Sequence, residues 1–174
     1  WANANLFYGA YTRTSSYFSN STLASSGLPL GPELALLDKH RAKLSPMLFT
    51  EEFKLPVTDG SGNNREGLRQ ALELFRQAGW TIKDRKLVDA AGKQLSFEIV
   101  LDSPSFERVT LPYVQWLARL GVEARVRTVD AAQYRRVMDT YDFDMTVEVF
   151  PQSESPGNEQ KGFWSCESAK HEGG

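Results

Sequence analysis

The chain has 174 residues, 41% hydrophobic and 24% charged, enough to bury one sizeable core and too apolar to be disordered throughout. Its formal net charge of -2, from 20 basic and 22 acidic side chains, supplies no basic footprint for nucleic acid or an anionic membrane, so a neutral or zwitterionic partner is expected. No apolar run approaches the roughly 20 residues that span a bilayer, and Cys166, the single cysteine, leaves no partner for an intrachain disulfide.

Residues 1–58 are rich in aromatics, Ser and Pro with weak periodicity, whereas from residue 63 onward the elements alternate cleanly. The expected organisation is a wrapping segment, 1–58, around an α/β core, 59–174. In the first part, residues 5–11 and 19–25 read as short helices, 27–31 as a turn, and 32–43 as a helix with Pro32 in its first turn. Ser45-Pro46 then stops it. The run 57–63 is made of turn residues, and Asn63 or Asn64 offers an N-cap.

Leu68, Ala71, Leu72, Phe75 and Ala78 recur on one helical face that ends at Gly79. A hairpin should follow, using 81–84 or 86–89, a turn at Ala91-Gly92-Lys93, and a strand over 95–101. Ser103 and Pro104 then open a helix with the stripe Phe106, Val109, Tyr113, Leu117 and Leu120, bent at Pro112 and ended by Gly121. Residues 122–129 alternate as a strand. Asp130 with Gln133 forms a capping box ahead of a short helix that buries Tyr134, Val137, Met138 and Tyr141. A last strand alternates Phe143, Met145, Val147 and Val149 with Asp144, Thr146 and Glu148. The run β-α-β-α-β predicts parallel strands covered by helices, with a hairpin strand extending a mixed sheet.

The last strand runs into a polar loop, Phe150-Pro151-Gln152-Ser153-Glu154-Ser155-Pro156-Gly157-Asn158, at the carboxyl end where open α/β sheets bind ligands. Phe150 offers an apolar wall, and Gln152, Ser153, Ser155 and Asn158 offer hydrogen bonds to a ligand backbone. A second cluster mixes aromatic faces with amides, hydroxyls and one cation: Asn3, Asn5, Phe7, Tyr8, Tyr11, Arg13, Ser15, Ser16, Tyr17 and Phe18. From it, Tyr8, Tyr11 and Arg13 are taken as secondary contacts, Arg13 meeting a carboxylate.

Other chemistry has plainer explanations. Asp102 and Asp130 sit at helix starts, where an acid caps free amides. Asp142, Asp144 and Glu148 lack a Ser-His-Asp order, a nucleophile elbow or a metal spacing beside them. The loop 59–64 has no preceding strand and no Walker Lys, so a linker is expected rather than a phosphate cradle. His40, His171 and Cys166 have no companions in the sequence that would make a metal site or an activated thiol. No cofactor is expected. A carboxylate-dependent hydrolase and a ferredoxin-like nucleic-acid module are the alternatives from other classes, the latter lacking basic charge and an aromatic strand signature.

Three segments resemble the bacterial extracellular solute-binding proteins of family 5, and within it the Yej-type branch: NANLFYGAYTRTSSYFSNSTLASSGLP at 3–29, PVTDGSGNNREGLRQALELFRQAGW at 56–80, and RLGVEARVRTVDAAQYRRVMDTYDFDMTVEVFPQSESPGNEQ at 119–160. The resemblance implies a piece of the second lobe of a type 2 periplasmic binding protein from a Gram-negative cell, its signal peptide absent from this chain. It also implies a non-enzymatic role as the substrate-binding component of a peptide ABC importer. Its partners would be a peptide or peptide-like ligand held between lobes, the first lobe of the same protein, and a membrane permease. The branch is associated with murein-derived peptides and microcin C-like compounds. Many members place an Asp after an aromatic residue in the loop that follows the last strand, where it pairs with the ligand's amino terminus. Here the run from Phe150 to Ser155 has no Asp, and Glu154, or neutral Gln152 and Ser153, stand in its place.

Overall fold

The computed structural model describes residues 1–19, 21–151 and 153–171. Two compact units form, one from Trp1–Ala10, Thr58–Val149 and Gly157–Gly174, the other from Tyr11–Val57 and Phe150–Pro156.

The first unit is the α/β part. It opens with α1 (Ala2–Leu6) and continues with α4 (Arg65–Gln77), β1 (Thr81–Lys83), β2 (Lys86–Val88), β3 (Ser96–Leu101), α5 (Glu107–Arg119), β4 (Glu123–Thr128), α6 (Ala131–Asp139), β5 (Met145–Thr146) and α7 (Glu159–Trp164). The second unit contains α2 (Gly31–Asp38) and α3 (Met47–Thr50). Strands β4, β3 and β5 form a parallel sheet in that order, with Ile99 opposite both Val126 and Met145. Strands β1 and β2 pair antiparallel. Asp84 and Arg85, both left-handed at φ 49° and 64°, make the two-residue turn between them, a backbone that matches the strand twist. Each of the hairpin alternatives, 81–84 and 86–89, thus holds a strand, Thr81–Lys83 and Lys86–Val88, and the two pair with each other. The hairpin meets the parallel sheet through Leu87 N–H to the Gly121 carbonyl, Leu95 N–H to the Leu87 carbonyl, and a bridge between Val88 and Gln94. The α/β class therefore holds, with antiparallel and parallel pairing in separate ladders.

Two apolar clusters hold this unit. Leu87, Leu120 and Val122 are buried beneath Leu68, Ala71, Leu72 and Phe75 of α4, with Trp80, Leu95, Phe97 and Leu117. Val100, Val129 and Val137 are buried with Tyr134, Met138 and Phe143. Period-2 alternation sends Val100 to the α6 side of β3, while Phe97 packs in the other cluster. On α5 the inward stripe is shifted from the expected one. Thr110 is buried, its hydroxyl donating to the Phe106 carbonyl, and Tyr113 is exposed. A short polar side chain that can satisfy itself on the preceding turn fits where a tyrosine would not. The helix is continuous through Pro112.

Helices α4, α5 and α6 end in one hydrogen-bond pattern. Gly79, Gly121 and Tyr141 are left-handed, and the following residue, Trp80, Val122 or Asp142, donates back to Phe75, Leu117 or Val137. Two of these were readable from glycine. The third places Tyr141 outside the helix and half exposed, which corrects its assignment to the buried face of α6. At the other end of α6, Asp130 accepts from Gln133 N–H as the capping motif requires.

The Ser-rich segment departs furthest from expectation. Among the described residues of 19–25 none is helical. The Ser16 hydroxyl accepts from Phe18 and Ser25 N–H, Ser19 accepts from Ser16 N–H, and Ser21 accepts from Leu23 N–H. Hydroxyls so close in sequence compete with the helical ladder for the same donors. The first helix starts at Ala2 instead of residue 5 and ends before Tyr8, whose φ of 53° is not helical. The helix expected over 32–43 stops at Asp38. A 3₁₀ turn, Arg41–Lys43, follows, and Arg41 lies 3.8 Å over the Phe49 ring while pairing with Asp38.

Candidate ligand-binding site

Strand β5 delivers the chain to the loop that begins at Phe150. Its pairing is short: only Met145 and Thr146 pair with β3, although the apolar alternation continues to Val149. The strand is pinned from the α6 side, where the Thr146 hydroxyl donates to the Val100 carbonyl at 2.9 Å and contacts the Tyr134 hydroxyl at 2.8 Å, which also reaches the Val147 carbonyl at 3.1 Å. Asp144 accepts from Glu98 N–H, and Glu148 accepts from Val149 N–H. Two of the acids considered for catalysis therefore hold backbone in place.

Within the Tyr11–Val57 and Phe150–Pro156 unit lies a cavity of about 660 Å³, a size suited to a small ligand. One wall is the hydroxyl-bearing run Thr14, Ser15, Ser16, Ser19 and Ser21, with Tyr17 and Phe18 inside it. Phe53 and Leu55 form a second wall, and Phe150, Ser153 and Glu154 a third. Phe150 meets Tyr17 edge-on, ring centroids 5.7 Å apart at 81°, a favourable quadrupole arrangement. Ser153, which lines the cavity, donates its hydroxyl to the Ser155 carbonyl at 2.7 Å, so any further bond at that oxygen is one it accepts. Among the described lining residues, Glu154 is the only carboxylate and there is no Lys, Arg or His.

The structure thus brings Phe150 and Ser153 together and adds Tyr17, Ser15, Ser16 and Phe18 from the amino-terminal aromatic cluster. Ser155 does not line the cavity; its carbonyl accepts from the Ser153 hydroxyl. Tyr8, Tyr11, Arg13 and Asn158 do not line this cavity. Tyr8 belongs to the other compact unit and is 82% exposed, and Tyr11 is also exposed. Arg13 donates to the Pro56 carbonyl at 2.7 Å, tying the two ends of the Tyr11–Val57 segment, so part of its donor set is spent on backbone. Asn158 begins α7, accepting from Lys161 N–H through its carbonyl. Gln152 lies outside the described residues. Thr14, Phe53 and Leu55 were not anticipated, because they sit in segments without periodicity, and only the return of the chain brings them beside Phe150.

The shifted ionisable groups lie elsewhere. Hydrogen bonds from Arg69 and Gln70 hold Glu66 down to about 2. Asp59 is lowered by the hydroxyl and N–H of Ser61, and Ser61 in turn accepts from Asn63 N–H. Two amides of the 59–64 loop, those of Ser61 and Asn63, are satisfied by side chains of the loop itself. Among the described residues, no group of three or more His, Cys, Asp or Glu is placed to hold a metal, and no helix is long and apolar enough to cross a membrane.

A cavity lined by hydroxyls and aromatic rings can hold a ligand by hydrogen bonds and ring contacts. Residues 1–170 match the family model for bacterial extracellular solute-binding proteins, family 5 Middle. The chain belongs to that family. It is 46% identical over 98% of its length to the protein y4wM of Sinorhizobium fredii, and 42% identical over 98% to the "Probable peptide-binding protein YejA" of Agrobacterium fabrum. It is also 37% identical over 99% to the "Peptidoglycan-binding protein YepA" of the same organism. It spans 26% to 28% of the length of these relatives. Among solved structures, the mannohexaose-bound periplasmic oligopeptide-binding protein of an oligopeptide ABC transporter from Thermotoga maritima has a TM-score of 0.53 at 15% identity. The match covers 85% of this chain and 26% of that one. This likeness concerns the fold: the chain has the α/β architecture of one part of a periplasmic binding protein.

Proposed function

We propose that this chain supplies one wall of a ligand cleft in a periplasmic peptide-binding protein of an ABC importer, and that it holds oligopeptides or peptide-like compounds without covalent chemistry. The observation that carries the reading is the cavity of about 660 Å³. Serine and threonine hydroxyls suit the amides of a peptide backbone, while Tyr17, Phe18, Phe53 and Phe150 offer sequence-tolerant apolar contact. Binding-protein relatives, one named for peptide and one for peptidoglycan, support peptide or peptide-like cargo over a hydrolase substrate or nucleic acid. Phe150 and Ser153 are the principal contacts in this reading, with Gln152 and Ser155 from the same loop. The remaining part of the longer protein would close the cleft, and the loaded protein would pass its ligand to a membrane permease.

Calorimetric titration of the full-length protein with short peptides tests this. Saturable binding without product is expected, and Phe150→Ala with Ser153→Ala should weaken it at least tenfold, about 1.4 kcal/mol. Unchanged affinity would remove the loop from the site, and peptide turnover would replace binding with catalysis.

A further inference from the structure

The hydroxyls of the cavity wall are unequally committed. Ser16 accepts from Phe18 and Ser25 N–H, Ser19 donates to the Ser16 carbonyl, and Ser21 donates to the Phe18 carbonyl. Thr14 and Ser15 line the same wall, and their hydroxyls make no hydrogen bond among the described residues. Those two are open to the amides of a ligand.

Burial does little to hold them in place, because no described residue of 11–57 is buried. The hydroxyl bonds of Ser16, Ser19 and Ser21 span only two to nine positions, so they shape the wall locally. Arg13 reaches further: its Nη1 donates to the Pro56 carbonyl at 2.7 Å, across 43 positions. Arg13 directly precedes Thr14 on the first wall, and Pro56 directly follows Leu55 on the second. The guanidinium thus joins the two walls beside the cavity. Pro56 has no N–H, so its backbone can be held only through that carbonyl.

We propose that Arg13 is a positioning residue for the ligand: it holds the Thr14–Ser15 wall beside Leu55 and sets those two hydroxyls for bonding, without touching the ligand itself. This rests on the ligand reading above. When the bond opens, only the fraction with the walls joined binds, and apparent affinity falls with that fraction. One carbonyl needs one donor, so a lysine can replace the arginine here, as it could not at a carboxylate gripped by two guanidinium nitrogens.

Calorimetric titration of full-length variants tests this, with the short peptide that the wild-type protein binds most tightly and with its carboxyl-amidated form. Arg13→Met should weaken both peptides equally, about fivefold or more, and Arg13→Lys should stay within about twofold of wild type. With Thr14→Val and Ser15→Ala already in place, Arg13→Met should cost less than about twofold more, because the groups it positions are gone. Unchanged affinity would overturn the proposal. So would a loss confined to the free-carboxyl peptide, which makes Arg13 a direct contact, or an undiminished loss in the Thr14→Val, Ser15→Ala background. A second measurement needs no ligand: tryptic cleavage after Lys54, taken relative to cleavage after Lys93, should be about fivefold faster in Arg13→Met and restored in Arg13→Lys. An unchanged ratio would equally overturn the proposal. Affinity that survives Arg13→Met but is lost with Phe150→Ala and Ser153→Ala removes the positioning role alone. If no short peptide binds, the ligand reading falls, and the positioning role falls with it.

Discussion

The attachment of β5 to the sheet rests on two residue pairs and one hydroxyl relay, so that relay is the point to perturb. Thr146 donates to the Val100 carbonyl. The single Tyr134 proton is then shared between the Thr146 oxygen at 2.8 Å and the Val147 carbonyl at 3.1 Å. Tyr134→Phe removes that one proton. A net hydrogen bond contributes about 0.5–1.5 kcal/mol, and about 1.4 kcal/mol is a factor of ten, so opening of β5 should become roughly two- to twelvefold more frequent. Thr146→Val keeps the shape but deletes both the donor to Val100 and the acceptor for Tyr134, about 1–3 kcal/mol or roughly fivefold to 150-fold. Amide exchange is the assay, because openings smaller than global unfolding are read residue by residue. The acceleration should be confined to residues 145–147 and exceed any change at Leu87 and Ile99. A Thr146→Val protein whose β5 amides change less than twofold, or whose whole core accelerates equally, would show that the relay does not hold the strand.

Other outcomes follow from the same coordinates. Gly79 and Gly121 both sit at left-handed helix ends, at φ 89° and 80°, but a Cβ at Gly79 meets nothing within 4 Å, whereas at Gly121 it would lie 2.6 Å from the Leu87 nitrogen. Gly79→Ala should therefore cost only the left-handed strain, about 1 kcal/mol, while Gly121→Ala must also displace the hairpin and cost about 3 kcal/mol or more in urea denaturation. Equal costs would refute the close approach. Glu66, held at about 2 against an ordinary 4.5, should show that low midpoint in a carboxyl NMR titration. Its contribution is present above the unfolded value and lost as pH falls from about 4.5 through about 2. Arg69→Ala, which removes the largest cause, should return the midpoint most of the way. Ser16→Ala removes an acceptor used by Phe18 and Ser25 N–H, and should loosen the hydroxyl wall of the cavity, seen as at least threefold faster exchange at those two amides.

The α/β core was legible because its signals are local and redundant. Leu68, Ala71, Leu72 and Phe75 share a helical face, Gly79 and Gly121 mark helix ends, and Asp130 with Gln133 marks a helix start, each true of a short stretch read alone. The alternation in 95–101 likewise survives folding with Val100 and Ile99 buried on opposite faces. Tyr141 and Tyr113 were misplaced for a different reason. A periodic pattern does not say where a helix stops without glycine, nor which of two adjacent stripes the sheet will cover.

The cavity shows the limit most clearly. Sequence marked Phe150, Ser153 and the Ser15–Phe18 cluster as residues fit for binding, since hydroxyls and aromatics in non-periodic segments have little to do in a core. It could not join them, nor add Phe53 and Leu55, because their meeting depends on returns of the chain between distant segments that leave no local trace. It equally could not separate Arg13, whose guanidinium chemistry suits a carboxylate, from the Pro56 carbonyl that it bonds. Local patterning determines which elements form and which faces they bury; the placement of non-periodic segments is a property of long-range packing, and the candidate cavity is built from those segments.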